Sequence, residues 1–306
     1  MCHFDDWRSL LGWDRRLIGK YNWSQFQSLP NIFIDFMKKY QWLWLSLFFI
    51  GILSACGIAN QKTSVETISS PPPPISLIVS AAADLNYVFP EIGRLWEQET
   101  GNQVTLNLGS TGQLAQQIDR GAAVDLFAAA NKQFVEDLDA KGLIISNTKA
   151  LYGVGRITLW QRPEATLEIK QLQDLLKPEV KRIAIANPDH APYGIAAREA
   201  LQSLGIWETL QPKLILGENV RQTQQYAETG NADVAIVALS ISMNKPGKWT
   251  LIDDNLHKPL EQMLAVPKNA PYPEAAKQFA SFINSEKGRP LMQKYGFILP
   301  GEEPIK

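Results

Sequence analysis

Two cysteines and three histidines are all that 306 residues offer of the side chains that bind soft metals or act as thiol and imidazole catalysts. With only Cys2 and Cys56, neither a disulfide framework nor a cysteine metal cluster can be written. His3, His190 and His257 are far apart, and none stands in an HExxH or similar ligand spacing. No GxSxG elbow, P-loop or glycine-rich dinucleotide fingerprint is present, and carboxylates are nowhere dense enough for a metal site. Charge of one sign is lacking as well. The net charge is −1, and beyond residue 56 the chain has 27 acidic against 24 basic residues. Such a body has no basic footprint for nucleic acid. If it binds an anion, local oriented donors must do the work, because the overall field does not. A spanning hydrophobic run is also missing: the apolar stretch Trp42–Leu53 falls short of the ~20 residues that cross a bilayer. No cofactor is expected, and catalysis is left with little machinery.

The front of the chain is built for targeting. Met37-Lys38-Lys39 supplies a basic start, Trp42–Leu53 the apolar run, and Ser54-Ala55-Cys56-Gly57 a small-residue end, the three parts of a secretory signal. Leu53-Ser54-Ala55-Cys56 looks like the lipobox of bacterial lipoproteins, which implies cleavage before Cys56 and a lipid on its thiol. Residues 37–56 are thus expected to be a lipoprotein signal peptide. Residues 1–36, Trp-containing and of mixed charge, precede a complete signal and are expected to be a doubtful extension, with translation beginning at Met37. Residues 57–74 are polar and end in four prolines, a composition that predicts a disordered tether with a stiff end.

From Ile75 onward, short apolar runs alternate with amphipathic stretches. Ile75–Val79, Gln103–Leu108, Asp125–Asn131, Arg182–Ala186, Lys213–Gly217 and Val234–Leu239 read as strands. Between them lie helical patterns closed by Gly101, Gly121, Gly142 and Gly230. Alternation of this length predicts mainly parallel sheets flanked by helices, and a chain this long predicts two lobes. Ligands of such sheets sit beyond the carboxyl ends of the strands. Four strand-to-helix junctions, at 81–84, 109–112, 191–194 and 218–221, carry the small or hydroxylated residues that let a ligand approach exposed backbone N–H groups. His190, in the third of these, reads as a loop-packing residue. Trp96, Trp160 and Trp207 read as core.

At these junctions the sequence resembles the molybdate-binding proteins of bacterial ABC importers, type II periplasmic binding proteins. The resemblance runs over roughly 75–300. Its pieces are Ala81-Ala82-Ala83-Asp84-Leu85, Gly109-Ser110-Thr111-Gly112 with Leu114–Ile118, Asp125-Leu126-Phe127, Arg182–Pro188 with His190–Gly194, Asn219-Val220-Arg221 and Lys294–Phe297. It implies a two-lobed α/β fold with hinge crossovers, with lobe one formed by 75–155 plus 240–306 and lobe two by 156–239. It further implies that a tetrahedral oxyanion, molybdate or tungstate, is held by Asp84, Thr111, Tyr193 and Val220, the last two mainly through backbone. Ser110, Ala83 and Gly112 are additional candidates. Molybdenum would enter only as the oxyanion, through these same residues. The implied partners are a membrane permease and its ATPase, with the protein itself a monomer anchored outside the cytoplasm through Cys56.

Two positions depart from the family. A serine is frequent where Asp84 stands, and some members have a tyrosine where Ala238 stands. An ionised Asp84 would repel a dianion, so its side chain is expected to cap its own helix and leave only its N–H toward the ligand. The hydroxyl missing at Ala238 is expected from Ser80, Ser110 or Tyr193. Two other readings stay open: a binder of another small anion (sulfate, phosphonate or a carboxylate), and a lipid-anchored hydrolase using Asp84 or His190 as base.

Overall fold

Among the described residues, ten strands assemble into two separate five-stranded sheets, and the way the chain divides them sets the position of the site. The structure is a computed structural model that describes residues 73–302; the extension, the signal peptide with Cys56 and nearly all of the tether lie outside the described residues. The first sheet contains β1 (Ser76–Ala82), β2 (Gln103–Gly109), β3 (Leu126–Ala129), β4 (Ala150–Gly155) and β10 (Leu260–Ala265), in the order β2-β1-β3-β10-β4. The second contains β5 (Ile157–Gln161), β6 (Ile183–Ala186), β7 (Leu214–Gly217), β8 (Val234–Ala238) and β9 (Lys248–Leu251), in the order β7-β6-β8-β5-β9. In each, three neighbouring strands pair in parallel, and one strand, β10 or β5, runs antiparallel between the third of them and the far edge.

Three of the parallel strands, β3, β6 and β8, are apolar throughout because both faces are covered. Leu126–Ala129, Ile183–Ala186 and Val234–Ala238 are buried at every position. Around the first sheet pack α1 (Val88–Thr100), α2 (Thr111–Asp119) and α3 (Lys132–Ala140). Around the second lie α4 (Pro192–Ser203), α5 (Trp207–Leu210), α6 (Val220–Glu228) and α7 (Leu239–Ser242). Finally α8 (Pro273–Ile283) and α9 (Gly288–Lys294) return to the first. Gly101 and Gly230, expected as helix stops, take φ of 75°, a left-handed conformation that costs glycine nothing. Trp96 and Trp160 are buried in the cores of the first and second lobe, as read from the sequence.

The chain passes between lobes twice. The outward crossing is a single residue, Arg156, between β4 and β5; the return lies between β9 and β10. The return was expected near Leu239. Instead, α7 and the turn at Gly247 bring Lys248–Leu251 back to pair with β5, so the second lobe keeps the chain until past Leu251. Gly247 lies against the Trp160 indole, where any side chain would collide.

Candidate functional site

Each sheet offers two strand ends to the cleft. In the first, β1 ends in a 3-10 turn, Ala83–Leu85, and β2 leads through Ser110 into α2. In the second, β6 leads through 187–191 into α4, and β7 through Glu218 and Asn219 into α6. All four converge on one small pocket of about 200 Å³, mouth included, lined by Ala83, Asp84, Ser110, Thr111, Tyr193 and Val220 among others. Six of the seven oxyanion candidates are thus brought together. Gly112 is not. It turns away from the pocket and gives its N–H to the carbonyl of His190 across the cleft at 2.9 Å.

What the four helix starts do with their N–H groups differs. The starts at Ala82, Ser110 and Ala191 have no side-chain cap. Asn219 does cap α6, but its Oδ1 accepts from the N–H groups of Arg221 and Gln222, which leaves that of Val220. First-turn N–H groups such as those of Thr111, Tyr193 and Val220 have no partner inside their own helix. They form a set of positive dipole ends aimed at one point from both lobes.

Among the hydroxyls, Thr111 has the freest hand. Its Oγ1 accepts from Ala130 N–H at 3.1 Å, so its own proton remains to be donated. Ser110 is already committed: Oγ donates to the His190 carbonyl at 2.7 Å and lies 2.8 Å from His190 Nδ1. One hydroxyl has one proton, so Nδ1 must carry the hydrogen that Oγ accepts. Ser80 accepts from Asn107 and does not line the pocket. His190, read from the sequence as a packing residue, thus joins the lobes with its carbonyl and one ring nitrogen, and its Nε2 lies 3.7 Å from Glu218. Gln113 adds a bond to Glu218 at 2.6 Å.

Asp84 departs from expectation. Its side chain caps no helix. Oδ2 accepts from Tyr193 Oη at 2.8 Å and from Gln262 Nε2 at 2.7 Å, and Gln262 also donates to Tyr193 Oη at 3.0 Å. The Asp84 carbonyl accepts from Ser240 Oγ at 2.8 Å. The correction has a plain cause: Tyr193, one of the sources expected for the missing ligand hydroxyl, sits across the cleft with its O–H turned onto this carboxyl. Gly155 makes the arrangement possible, since a side chain there would overlap the Tyr193 hydroxyl and crowd Gln262. Burial pushes the Asp84 carboxyl up to about 6, although the bonds from Gln262 and Tyr193 pull it down. Burial, and then the neighbouring Asp84 charge, hold the Tyr193 and Tyr152 phenols well above their ordinary value.

Gln262, Ser240 and Ala130 were not read from the sequence as site residues. Gln262 sits in a strand of otherwise apolar and charged residues, and nothing near it in sequence marks it. Among the described residues, no group of three or more His, Cys, Asp or Glu could hold a metal ion.

A two-lobed frame with helix starts meeting in the cleft is the form of a capture protein, and comparison with known proteins agrees. Residues 77–298 match the family model of the bacterial extracellular solute-binding proteins. The chain belongs to this family. It is a binding protein rather than an enzyme, and a two-lobed type II one. It is 34% identical over 224 residues to the molybdate-binding protein ModA of Rhodobacter capsulatus, covering 72% of this chain and 88% of that one. A putative ABC transporter substrate-binding lipoprotein of Bacillus subtilis, YvgL, is 28% identical over 266 residues, covering 85% and 98%. The structure of the periplasmic molybdate-binding protein of Azotobacter vinelandii superposes with a TM-score of 0.69 at 28% identity, covering 73% of this chain and 99% of that one. Among the described residues of this solute-binding protein, no helix is long and apolar enough to cross a membrane.

Proposed function

We propose that this protein captures molybdate, and tungstate equally, in the cleft and delivers it to the permease and ATPase of an ABC importer. The observation that carries the reading is the convergence of N–H groups from both lobes, with the Thr111 hydroxyl, on one small pocket in the cleft. The molybdate-binding names of relatives matched over most of their length support it. Asp84, Thr111, Tyr193 and Val220 are the ligand-facing residues, Asp84 and Thr111 through side chain and backbone, Tyr193 and Val220 through backbone. Ala83 adds its N–H. Ser110 and Gly112 act one step back, by holding the lobes together. No residue bonds the metal; the donors meet only its oxygens. Charge-assisted hydrogen bonds contribute ~1.5–3 kcal/mol each, so a few of them outweigh the cost of association.

Selection against sulfate, also a tetrahedral dianion, rests on cavity size. Isothermal titration of the purified protein with molybdate, tungstate, sulfate and phosphate tests the reading. The expected result is tight binding of the first two. Tight binding of sulfate or phosphate alone would overturn it in favour of another anion carrier.

The lipobox at Leu53–Cys56 and the relative named as a lipoprotein support a lipid anchor at Cys56, which places the cleft outside the cytoplasm at the end of a proline-containing tether. Labelling with a radioactive fatty acid tests this: Cys56→Ala is expected to lose the label and leave the membrane fraction.

A further inference from the structure

We propose that Asp84 carries a proton in the ligand complex and donates it from Oδ1 to an oxygen of the bound oxyanion, so that each dianion enters the cleft together with one proton. This rests on the oxyanion reading above and adds to it a specificity-determining role for one side chain.

The geometry leaves few other ways to place a dianion beside this residue. Asp84 is 1% exposed and lines the pocket. Its Oδ2 is filled by Tyr193 and Gln262, while Oδ1, equally buried, has no hydrogen-bond partner. A buried carboxylate with one empty oxygen is costly, and a second negative charge at contact distance makes it more so. The side chain cannot simply swing away. Tyr193 and Gln262 grip Oδ2 from opposite lobes, and Ser240 holds the backbone of the same residue.

The groups recorded against it among the described residues are not cations. From α4 it faces the Tyr193 phenol and from β4 the Tyr152 phenol, both acids held neutral by burial. From β10 and α7 it faces Gln262 and Ser240, which are uncharged. On α6 the Arg221 guanidinium is engaged with Glu228 and Gln224. Among the described residues, no cationic side chain hydrogen-bonds to Asp84. A proton on Oδ1 resolves both difficulties at once, because it removes the charge and turns an empty acceptor into a donor. If the arriving anion already bears the proton, it donates to Oδ1 instead, and the complex is the same. A carboxyl titrating about 6 in the free protein gives up little to take the proton near neutrality.

The test is titration of the full chain with molybdate, a dianion throughout the range used, in buffers of different ionisation enthalpy. For the wild type, proton uptake is expected to approach one per site at pH 8 and to fall toward zero near pH 5, where Asp84 is already protonated. Apparent affinity is expected to drop by up to ~10-fold for each pH unit above 6. Asp84→Asn presents an amide N–H in place of the acid, so its binding should take up no proton and lose the pH slope. The ratio of the two affinities should move by up to ~100-fold in favour of the variant between pH 6 and pH 8. Asp84→Ser, which keeps a hydroxyl donor, should likewise take up no proton, and serves if circular dichroism shows the Asn variant unfolded. Wild-type binding at pH 8 without proton uptake, or unchanged uptake in either folded variant, would overturn the proposal. Absence of any heat with molybdate, tungstate or sulfate would instead sink the oxyanion reading, and the proton with it.

Discussion

The two lobes repeat one plan. In each, an edge parallel strand (β2, β7) and its inner neighbour (β1, β6) end at the cleft, beside a third parallel strand (β3, β8), a single antiparallel strand (β10, β5) and a far-edge strand paired to it (β4, β9). They furnish the cleft differently. The first lobe brings side chains, the Asp84 carboxyl and the Thr111 and Ser110 hydroxyls. The second brings chiefly backbone, the start of α4 and the Asn219-capped start of α6. Tyr193, the exception, sends its hydroxyl into the first lobe. Amide dipoles are fixed by the fold and are blind to pH, whereas hydroxyls and a carboxyl can be exchanged one residue at a time. Chemical character is therefore set in the first lobe, and the second supplies a constant field.

The sharpest way to break that comparison is to make one substitution at matched places. Gly194→Ala in the second lobe puts a Cβ onto the carbonyl of Ala186, in β6 of its own lobe. Overpacking of this kind costs ~1–3 kcal/mol or more, so the urea midpoint should fall markedly, binding being lost only through folding. Gly112→Ala in the first lobe places its Cβ 2.6 Å from the His190 carbonyl, in the opposite lobe. Here the midpoint should barely move, while molybdate affinity falls ~10- to 100-fold because the lobes cannot meet, as titration would show.

Acid titration separates the lobes next. Because the Asp84 carboxyl is raised from 3.8 to about 6 in the folded protein, the folded state holds more protons than the unfolded one between those values. Its contribution to stability is full below pH 4 and lost as pH rises through 6, a difference of ~3 kcal/mol at most. Asp84→Asn should therefore gain on the wild type over this window in ligand-free chemical denaturation at several pH values. A constant difference would deny the buried carboxyl its assigned state.

Smaller effects come from the hydroxyl and the cap. Thr111→Val leaves the Ala130 N–H buried without an acceptor and removes a ligand donor. A loss of ~1–3 kcal/mol in binding, roughly 10- to 100-fold in Kd, is expected from titration. Asn219→Ala removes a side-chain cap worth ~1 kcal/mol of stability, with a smaller change in affinity because the Val220 N–H was never its partner. If that order of affinities reversed, the division of labour between the lobes would be wrong.

The four junctions were legible in the sequence because they are local. A strand, a small residue and an amphipathic stretch occupy a dozen consecutive positions, and the glycine stops mark their ends. What the sequence hid is long-range. Tyr193 and Gln262 stand 109 and 178 residues from Asp84, and Ser110 lies 80 from His190. No periodicity relates such positions, so the carboxyl was assigned to its own helix when its partners come from across the cleft and from β10. The return crossing was hidden for a related reason. Lys248–Leu251 is short and partly exposed, and only its pairing with β5 makes it a strand.

β10 has a consequence for how the molecule is made. It is a middle strand of the first sheet, wedged between β3 and β4, yet it is the last strand to leave the ribosome or the export channel. The second sheet has every strand between residues 157 and 251 and can assemble as soon as that segment emerges. The half begun first is thus completed last, and until Leu260–Ala265 arrives the exposed flanks of β3 and β4 are the places where a stalled or truncated chain would invite a foreign strand.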